Sequence, residues 1–475
     1  EHIYFIGNGG DNMASNTKKD YTQKKPSRLF YKDSPAWQKL LTTGFIFLLT
    51  CSMMGDGKFI MDRLGALPKA ITVGIICMAV GYGFIYPDME RIRKIFKPAL
   101  IFLALMAALL LWSMVIWISS FSTVSTMVRA CSKITFQSIS ILTAVAAVYL
   151  FGPQAIDLFT ISICLANAGI MLLEVPAYGI GPSIQSLITC LVTFGDAQGY
   201  ARRLEIHDLT FVFGQLILYY AAFAPHSTLL EKKRRICFLI LCTFFFLVGM
   251  KRIAIPAVIL FIFVGLFCKA QKHIKPWVMF IGVGFVIFFP FYIYIVRSGI
   301  LTAILHLFGV DMMGRDSLWM MANDHYEFSF TYIGHGFEYV DELSNMWFRT
   351  GVLKRALLFH NDILKVFVEL GAPGFIIWSG LQYIIYPIFW MRFSDEQTAL
   401  LYICELGYMT ITYLTDNTSF YFWSTMALRL IPLCYSVAHL KPAKKQVWRP
   451  HDRQEMHNLI YALMQKDPAE EGDLC

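Results

Sequence analysis

The stretch Ile236–Cys268, ICFLILCTFFFLVGMKRIAIPAVILFIFVGLFC, indicates the fold class of this chain. Two apolar runs are separated by the charged pair Lys251-Arg252, and neither run shows the alternation of apolar and polar residues that marks a barrel strand. In lipid, only helices and closed barrels satisfy their backbone hydrogen bonds internally. The stretch therefore predicts two membrane-spanning helices, with the charged pair at one surface of the bilayer.

The composition of the whole chain agrees with this class. Hydrophobic residues make up 56% of the chain and charged residues 16%, whereas a soluble domain has about 25% charged residues. The mean hydropathy is +0.54. We therefore predict an all-α integral membrane protein with about twelve transmembrane helices, each of about 20 apolar residues. The predicted spans are approximately 38–54, 71–87, 98–120, 134–152, 155–175, 209–225, 236–250, 253–270, 276–296, 372–392, 398–416 and 418–440.

The predicted domain organisation has three parts. A cytoplasmic N-terminal segment, residues 1–36, precedes a polytopic membrane domain, residues 37–440, and a cytoplasmic C-terminal tail, residues 441–475, follows it. Residues 297–360 form a large extracytoplasmic loop between two predicted spans. Structureless connections of this length are usually functional or disordered, so we expect catalysis or ligand capture in this loop.

The formal net charge of +8 is distributed in short basic clusters next to apolar runs. Lys232–Arg235 and Lys269–Lys275 are two of these clusters, and such clusters mark cytoplasmic loops. The pattern predicts contact with membrane lipids rather than with nucleic acid. The apolar run Ile184–Phe194 is too short to cross the bilayer, so we expect it to lie in the outer interface or to re-enter. Both termini are then cytoplasmic, and the 297–360 loop is outside.

The outer loop and the span after it carry four short motifs. They are Gly314–Trp319 (GRDSLW), Gly334–Gly336 (GHG), His360–Leu364 (HNDIL) and Glu369–Gly371 (ELG). Guanidinium groups bind phosphate or diphosphate through two parallel hydrogen bonds, and aromatic side chains pack on sugar rings. The alternative interpretation is that the charges form a solvated surface and the aromatic residues an interfacial belt.

The positions of two residues relative to the predicted spans make them candidates for a functional role. His360 stands where the loop re-enters the membrane, and a histidine near pH 7 is able to take a proton from a sugar hydroxyl as a general base. A helix cap or an interfacial residue is the alternative. The side chain of Arg252 either faces a ligand or extends to the membrane–water interface, where its charge is solvated. The sequence contains no nucleotide-binding loop, serine-hydrolase elbow or zinc-type spacing, so we expect no metal and no cofactor.

The motifs together resemble the O-antigen ligase/polymerase superfamily. The resemblance covers roughly residues 200–430 and depends on the order, spacing and membrane side of the motifs. Leu247–Ala257 is similar to the family's small-residue/Ser-Arg segment, with Lys251 in place of the usual serine. The other resembling positions are Gly314, Arg315, Leu318, Trp319, Gly334, His335, Gly336, His360, Asn361, Leu364, Glu369, Gly371 and Gly374.

The resemblance implies a metal-independent, inverting glycosyltransferase of the GT-C type, with many spans, in the bacterial cytoplasmic membrane. Its donor would be an undecaprenyl-diphosphate-linked oligosaccharide. Arg252 and Arg315 would bind the diphosphate, and His360 would activate the acceptor hydroxyl, with His335 as the other candidate for the catalytic histidine. The supporting residues would be Asn361, Glu369, Trp319 and His335.

The expected function is polymerisation of lipid-linked repeat units of a capsule, exopolysaccharide or O-antigen on the outer face of the membrane. The growing glycan would be the acceptor, and a chain-length regulator would be a further partner. The nearest alternative is a ligase that transfers the glycan to lipid A-core or another surface acceptor. A non-enzymatic flippase of lipid-linked oligosaccharide is the third alternative, but it should carry charges along several spans that face a central cavity. In this sequence the charge concentrates in one outer loop.

Overall fold

The computed structural model describes residues 36–55, 67–85, 89–119, 123–193, 199–204, 207–225, 228–249, 251–307, 312, 314–354 and 358–438. Within these residues every regular element is a helix, and no β-strand occurs. The predicted all-α class is therefore confirmed. The predicted N-terminal segment, apart from Ala36, and the predicted C-terminal tail lie outside the described residues.

Eighteen α-helices form the described part of the chain. They are α1 Ala36–Met54, α2 Leu67–Ile85, α3 Met89–Ser119, α4 Val124–Phe151, α5 Ala155–Tyr178, α6 Ile180–Thr193, α7 Gly199–Leu204, α8 His207–Leu218, α9 Leu229–Val248, α10 Ala254–Lys269, α11 Lys275–Arg297, α12 Ile300–Leu307, α13 Arg315–Ala322, α14 Tyr339–Arg349, α15 Asp362–Gly380, α16 Tyr386–Phe393, α17 Glu396–Tyr413 and α18 Phe422–Ala438. Two π-helical turns, Tyr219–Phe223 and Leu381–Ile385, continue α8 and α15.

Five helical stretches of the described residues are long and apolar enough to cross a membrane. They are Leu67–Ile85, Arg91–Ser119, Val124–Tyr178, Lys275–Arg297 and Asp362–Phe393. This composition is consistent with an all-α membrane protein. Each of the twelve predicted spans overlaps a helix, and the number that crosses stays a prediction.

The chain reversals gather at two opposite ends of the helix bundle. At one end, which we call the basic end, Arg91 donates to the carbonyl of Tyr149 and Lys269 donates to the carbonyl of Ala222. Arg235 donates to carbonyls in the π-helical turn at the same end. We call the opposite end, with Lys251 and residues 299–307, 314–354, 358–361 and 414–421, the polar end. Arg91, Arg235 and Lys269 therefore lie at one end, and the side of a membrane that this end faces stays a prediction.

A buried arginine joins four helices in the middle of the bundle. Arg429 of α18 is 2% exposed, and its guanidinium carbon lies 4.7 Å from the ring centroid of Phe102 and 5.2 Å from that of Tyr386. It donates to the hydroxyl of Tyr402 over 3.1 Å. Cation–π contacts of this kind stabilise a desolvated charge, so α3, α16, α17 and α18 pack around one cation.

The close packing of α11 predicts a difference between two of its glycines. A Cβ on Gly282 would collide with the carbonyl oxygen of Tyr383, whereas nothing lies within 4 Å of the corresponding position at Gly284. We expect Gly282→Ala to cost about 1–3 kcal/mol, as overpacking does, and Gly284→Ala to be neutral. Thermal unfolding of both purified variants in detergent measures the difference. Equal melting temperatures would contradict this packing.

Candidate functional site

The loop of the polar end is held at a break in α15. Pro373 has no amide N–H, so the carbonyl four residues earlier, that of Glu369, has no donor within the helix. The backbone N–H groups of His335 and Gly336 donate to this carbonyl instead, over 3.0 and 2.7 Å. Gly371 lies between these positions with a φ of +63°. The helix break therefore supplies an acceptor that binds the Gly334–Gly336 turn.

A second exchange of hydrogen bonds continues this contact. The N–H of Ala372 donates to the carbonyl of Tyr332 over 2.8 Å, and the hydroxyl of Tyr332 donates to the carbonyl of Val368 over 2.7 Å. A Cβ on Gly334 or on Gly371 would collide with the facing backbone. Both glycines are therefore needed for backbone-to-backbone contact, which explains why the sequence carries GHG and ELG motifs.

An ionic network fixes helix α14 on the same part of α15. Lys365 lies 2.7 Å from Asp341 and 3.9 Å from Glu369, and Lys133 of α4 binds Glu338 and Asp341. Although burial raises the pKa of Asp341, the two lysine charges hold it below its ordinary value. The network ties α4, α14 and α15 together at the polar end.

Glu369 contributes its carboxylate as well as its carbonyl. This side chain is fully buried, and its Oε1 accepts a hydrogen bond from the N–H of Val340 over 3.2 Å. Because Val340 belongs to the first turn of α14, the carboxylate faces the positive end of that helix. Glu369 was predicted as a supporting residue, and in the structure it contacts the loop and Lys365.

His335 lies in the Gly334–Gly336 turn, and its side chain contacts other residues of the loop. Its ring stacks on Tyr339 with centroids 4.0 Å apart, and its Nε2–H donates to the carbonyl of His325 over 2.7 Å. Burial lowers the pKa of His335 below its ordinary value. Gly334 and Gly336 on either side have φ values of +88° and +91°. These contacts give His335 a structural part in the turn.

His360 is held by three neighbours at the start of α15. Trp319 of α13 donates from Nε1 to the carbonyl of Phe359 over 2.8 Å. Asn361 caps α15 through the N–H of Leu364 and is fully buried. The N–H of His360 donates to the side-chain oxygen of Asn417 over 2.9 Å. His360 itself has a φ of +51°, a left-handed conformation that these bonds maintain.

Three polar side chains converge on residues 415–417, between α17 and α18. Nδ1 of His360 lies 3.2 Å from Oδ1 of Asp416, and Nζ of Lys251 lies 3.8 Å from its Oδ2. Arg315, the first residue of α13, donates from Nη1 to the carbonyl of Thr415 over 2.7 Å. The two predicted residues His360 and Arg315 are therefore brought to one three-residue segment, although 45 positions of sequence separate them.

The two residues of the charged pair Lys251-Arg252 differ in their burial. Lys251 is 8% exposed and reaches Asp416, whereas the side chain of Arg252 is exposed. Lys251 stands at the position where the resemblance implies a serine, and no role was predicted for it. The structure adds it to the group of cations near His360, and the role of Arg252 in binding a diphosphate stays a prediction.

Asp416 is the residue that the sequence analysis missed. It lies at the edge of a predicted span, because the spans 398–416 and 418–440 leave almost no connection between them. The run Thr415-Asp416-Asn417-Thr418 is the signal that was available, since four consecutive polar residues between two apolar runs mark a reversal. Lys365 was missed for a similar reason, because one charge in an apolar run gives no sign of its partner.

His360 and Asp416 have the arrangement of a proton acceptor with its carboxylate partner, and the cations Arg315 and Lys251 lie beside them. A carboxylate at Nδ1 holds that nitrogen as the protonated one and leaves Nε2 as the base. Asp416 stands in this relation to His360, whose side chain is 20% exposed. The contact of Arg315 with Thr415 uses one of its five N–H groups. Within the described residues, no group of three or more His, Cys, Asp or Glu is placed to hold a metal ion.

Comparison with known proteins adds no assignment. No family model matches the chain, and no curated protein matches it either. The resemblance to the O-antigen ligase/polymerase superfamily therefore stays a prediction from the sequence motifs.

The contact at the helix break predicts that Gly371→Ala will release the loop. An alanine at position 371 would have to adopt a φ of +63°, which side chains disfavour. Its Cβ would also collide with the backbone of Ile333. We expect amide hydrogen exchange in residues 332–340 to accelerate at least tenfold, because their hydrogen bonds to α15 open. Hydrogen-exchange mass spectrometry measures this rate.

Gly380→Ala is the matched control for this experiment. Gly380 belongs to the same helix, and nothing lies within 4 Å of its Cβ position. Exchange in residues 332–340 should be unchanged in this variant. If Gly371→Ala exchanges as slowly as the control, the break does not hold the loop.

Proposed function

We propose that this protein is a membrane glycosyltransferase that polymerises repeat units carried on undecaprenyl diphosphate. The observation that carries the proposal is the convergence of His360, Arg315 and Lys251 on residues 415–417. A general base and cations at one place suit transfer of a glycan from a diphosphate. The order and the spacing of the motifs supply the family resemblance.

The proposed reaction assigns one step to each group. The oxygen of an acceptor hydroxyl attacks the anomeric carbon while the bond from that carbon to the diphosphate oxygen breaks. Nε2 of His360 takes the hydroxyl proton, and the lipid diphosphate leaves with the bonding electrons. Arg315 and Lys251 stabilise the charge that develops on the leaving group, and Arg252 is the further predicted phosphate ligand. The anomeric configuration inverts.

Asp416 is a positioning residue in this scheme. Its carboxylate keeps the proton of His360 on Nδ1 and stabilises the imidazolium that forms after proton transfer. The N-terminus of α15 follows His360 directly, and a helix N-terminus favours negative charge nearby. Both features suit a site in which a diphosphate leaves. Trp319 and Asn361 act on the same site through the backbone that carries His360.

A ligase uses the same donor and the same chemistry, and only its acceptor differs. Among the described residues of the polar end, no contact distinguishes a second repeat unit from lipid A-core as acceptor. We propose the polymerase, and the product of the reaction distinguishes it from a ligase. Polymerisation extends the lipid-linked chain stepwise, whereas ligation yields one product of fixed size on another acceptor.

A flippase is less well supported by the interior of the bundle. Arg429 is buried among helices, as an internal charge of a flippase would be, but the cavity beside it has a volume of about 20 Å³. Sites for small molecules occupy about 300–1,000 Å³. A glycan does not fit this cavity, and the contacts of Arg429 with three aromatic rings give it a structural part.

The first functional prediction concerns the histidines. Removing a general base costs about 10²–10⁴ in rate, so His360→Ala should abolish the ladder of polymer in proteoliposomes that contain lipid-linked repeat units. His335→Ala is the control, and its loss should be below tenfold because its contacts are within the loop. A full ladder from His360→Ala, or loss in His335→Ala alone, would show that the wrong histidine was assigned.

The second functional prediction concerns the guanidinium of Arg315. An ammonium group cannot reproduce its planar fork, so Arg315→Lys should lose at least tenfold of the polymerisation rate although the charge is kept. Arg349→Lys is the matched control on the same loop, since the side chain of Arg349 is 69% exposed. The rate is read from product per unit time at saturating donor. Wild-type activity in Arg315→Lys would exclude a bidentate contact with phosphate.

A further inference from the structure

A groove at the basic end of the bundle has no part in the proposed reaction. It has a volume of about 580 Å³ and lies between the first turns of α3, the end of α16 and the end of α18. Its apolar part includes Phe96, Trp390 and Phe393, and its basic part is Arg93, Lys94 and Lys97. This combination of rings and cations is typical of a site for an amphipathic anion.

The three basic residues lie close together on α3. Arg93 and Lys97 are separated by one helical turn and therefore share a face, and Lys94 lies three positions before Lys97. Nζ of Lys97 lies 5.0 Å from the ring centroid of Phe393. The groove therefore combines a cluster of positive charge with an aromatic wall that the same lysine contacts.

The lining contains less negative than positive charge. Asp395 is the acidic residue of the lining, and its Oδ1 accepts a hydrogen bond from the N–H of Thr398 over 2.6 Å at the start of α17. Against this one carboxylate stand three cations, so the groove has an excess of positive charge. An anion is the ligand that this excess favours.

We propose that this groove binds an anionic phospholipid, with the phosphate headgroup at Arg93, Lys94 and Lys97. Basic pockets between helices at one side of a membrane bind anionic headgroups, and a volume of about 580 Å³ is within the range of small-molecule sites. An acyl chain also has a path. Phe96 is 57% exposed and Leu100, one turn further along α3, is 51% exposed. This apolar stripe distinguishes a lipid from free phosphate as the occupant.

Native mass spectrometry of the full chain in detergent tests the site. Binding of phosphatidylglycerol is compared with binding of phosphatidylcholine that has the same acyl chains. We expect one phosphatidylglycerol to bind at least tenfold more tightly than phosphatidylcholine. The triple variant Arg93→Gln, Lys94→Gln, Lys97→Gln should lose this preference. The single variant Lys97→Glu reverses one exposed charge and should weaken phosphatidylglycerol binding, which keeps the test valid if the triple variant fails to fold.

The matched control removes the same charge elsewhere at the basic end. Lys232→Gln, Lys233→Gln, Lys272→Gln changes three exposed lysines that do not line the groove, and it should bind phosphatidylglycerol as the unmodified chain does. Equal loss in the control would show a general effect of surface charge and would overturn the proposal. Equal binding of the two lipids, or displacement of the lipid by soluble glycerol phosphate at the same concentration, would overturn it as well.

Discussion

The carbonyl of Glu369 is the acceptor on which the polar end depends. Pro373 removes its helical donor, and the N–H groups of His335 and Gly336 take that place. A buried carbonyl without a partner costs about 1–3 kcal/mol, so the break in α15 and the loop that satisfies it stabilise each other. Gly371 and Gly334 allow the backbones to approach because neither carries a Cβ.

The half of α15 before this break connects the loop with the proposed site. Its first residues follow His360 and Asn361, its middle carries Lys365 in the ionic network, and its end carries Glu369. The eight positions Asp362–Glu369 therefore contact both the loop and the segment that carries His360. A group that must be held within a fraction of an ångström is best placed on a rigid element with a supporting shell. Helix α15 supplies that element, and the 415–417 segment supplies the facing wall.

Local sequence patterns predicted the helices, but they did not predict contacts between residues that are far apart in the sequence. Apolar runs of sufficient length predict helices directly, and Asn361, the residue before Asp362, is of a type that commonly caps a helix. The resemblance assigned His360 and Arg315 to one site, and both side chains contact the segment of residues 415–417. Asp416 could not be assigned, because its partner lies 56 positions away and no periodicity encodes that distance. The partners of the Glu369 carbonyl are equally remote, so Pro373 gave a signal for a break but not for what the break binds.

The fate of the diphosphate tests the central claim, that the polar end transfers a glycan from a lipid diphosphate. The full chain in proteoliposomes would be given lipid-linked repeat units, and phosphorus-31 NMR would follow the diphosphate signals. The account predicts that each new glycosidic bond releases one molecule of free lipid diphosphate, with the anomeric configuration inverted in the product. If no free lipid diphosphate appears in the presence of folded protein, whether or not the repeat units cross the bilayer, the claim is contradicted.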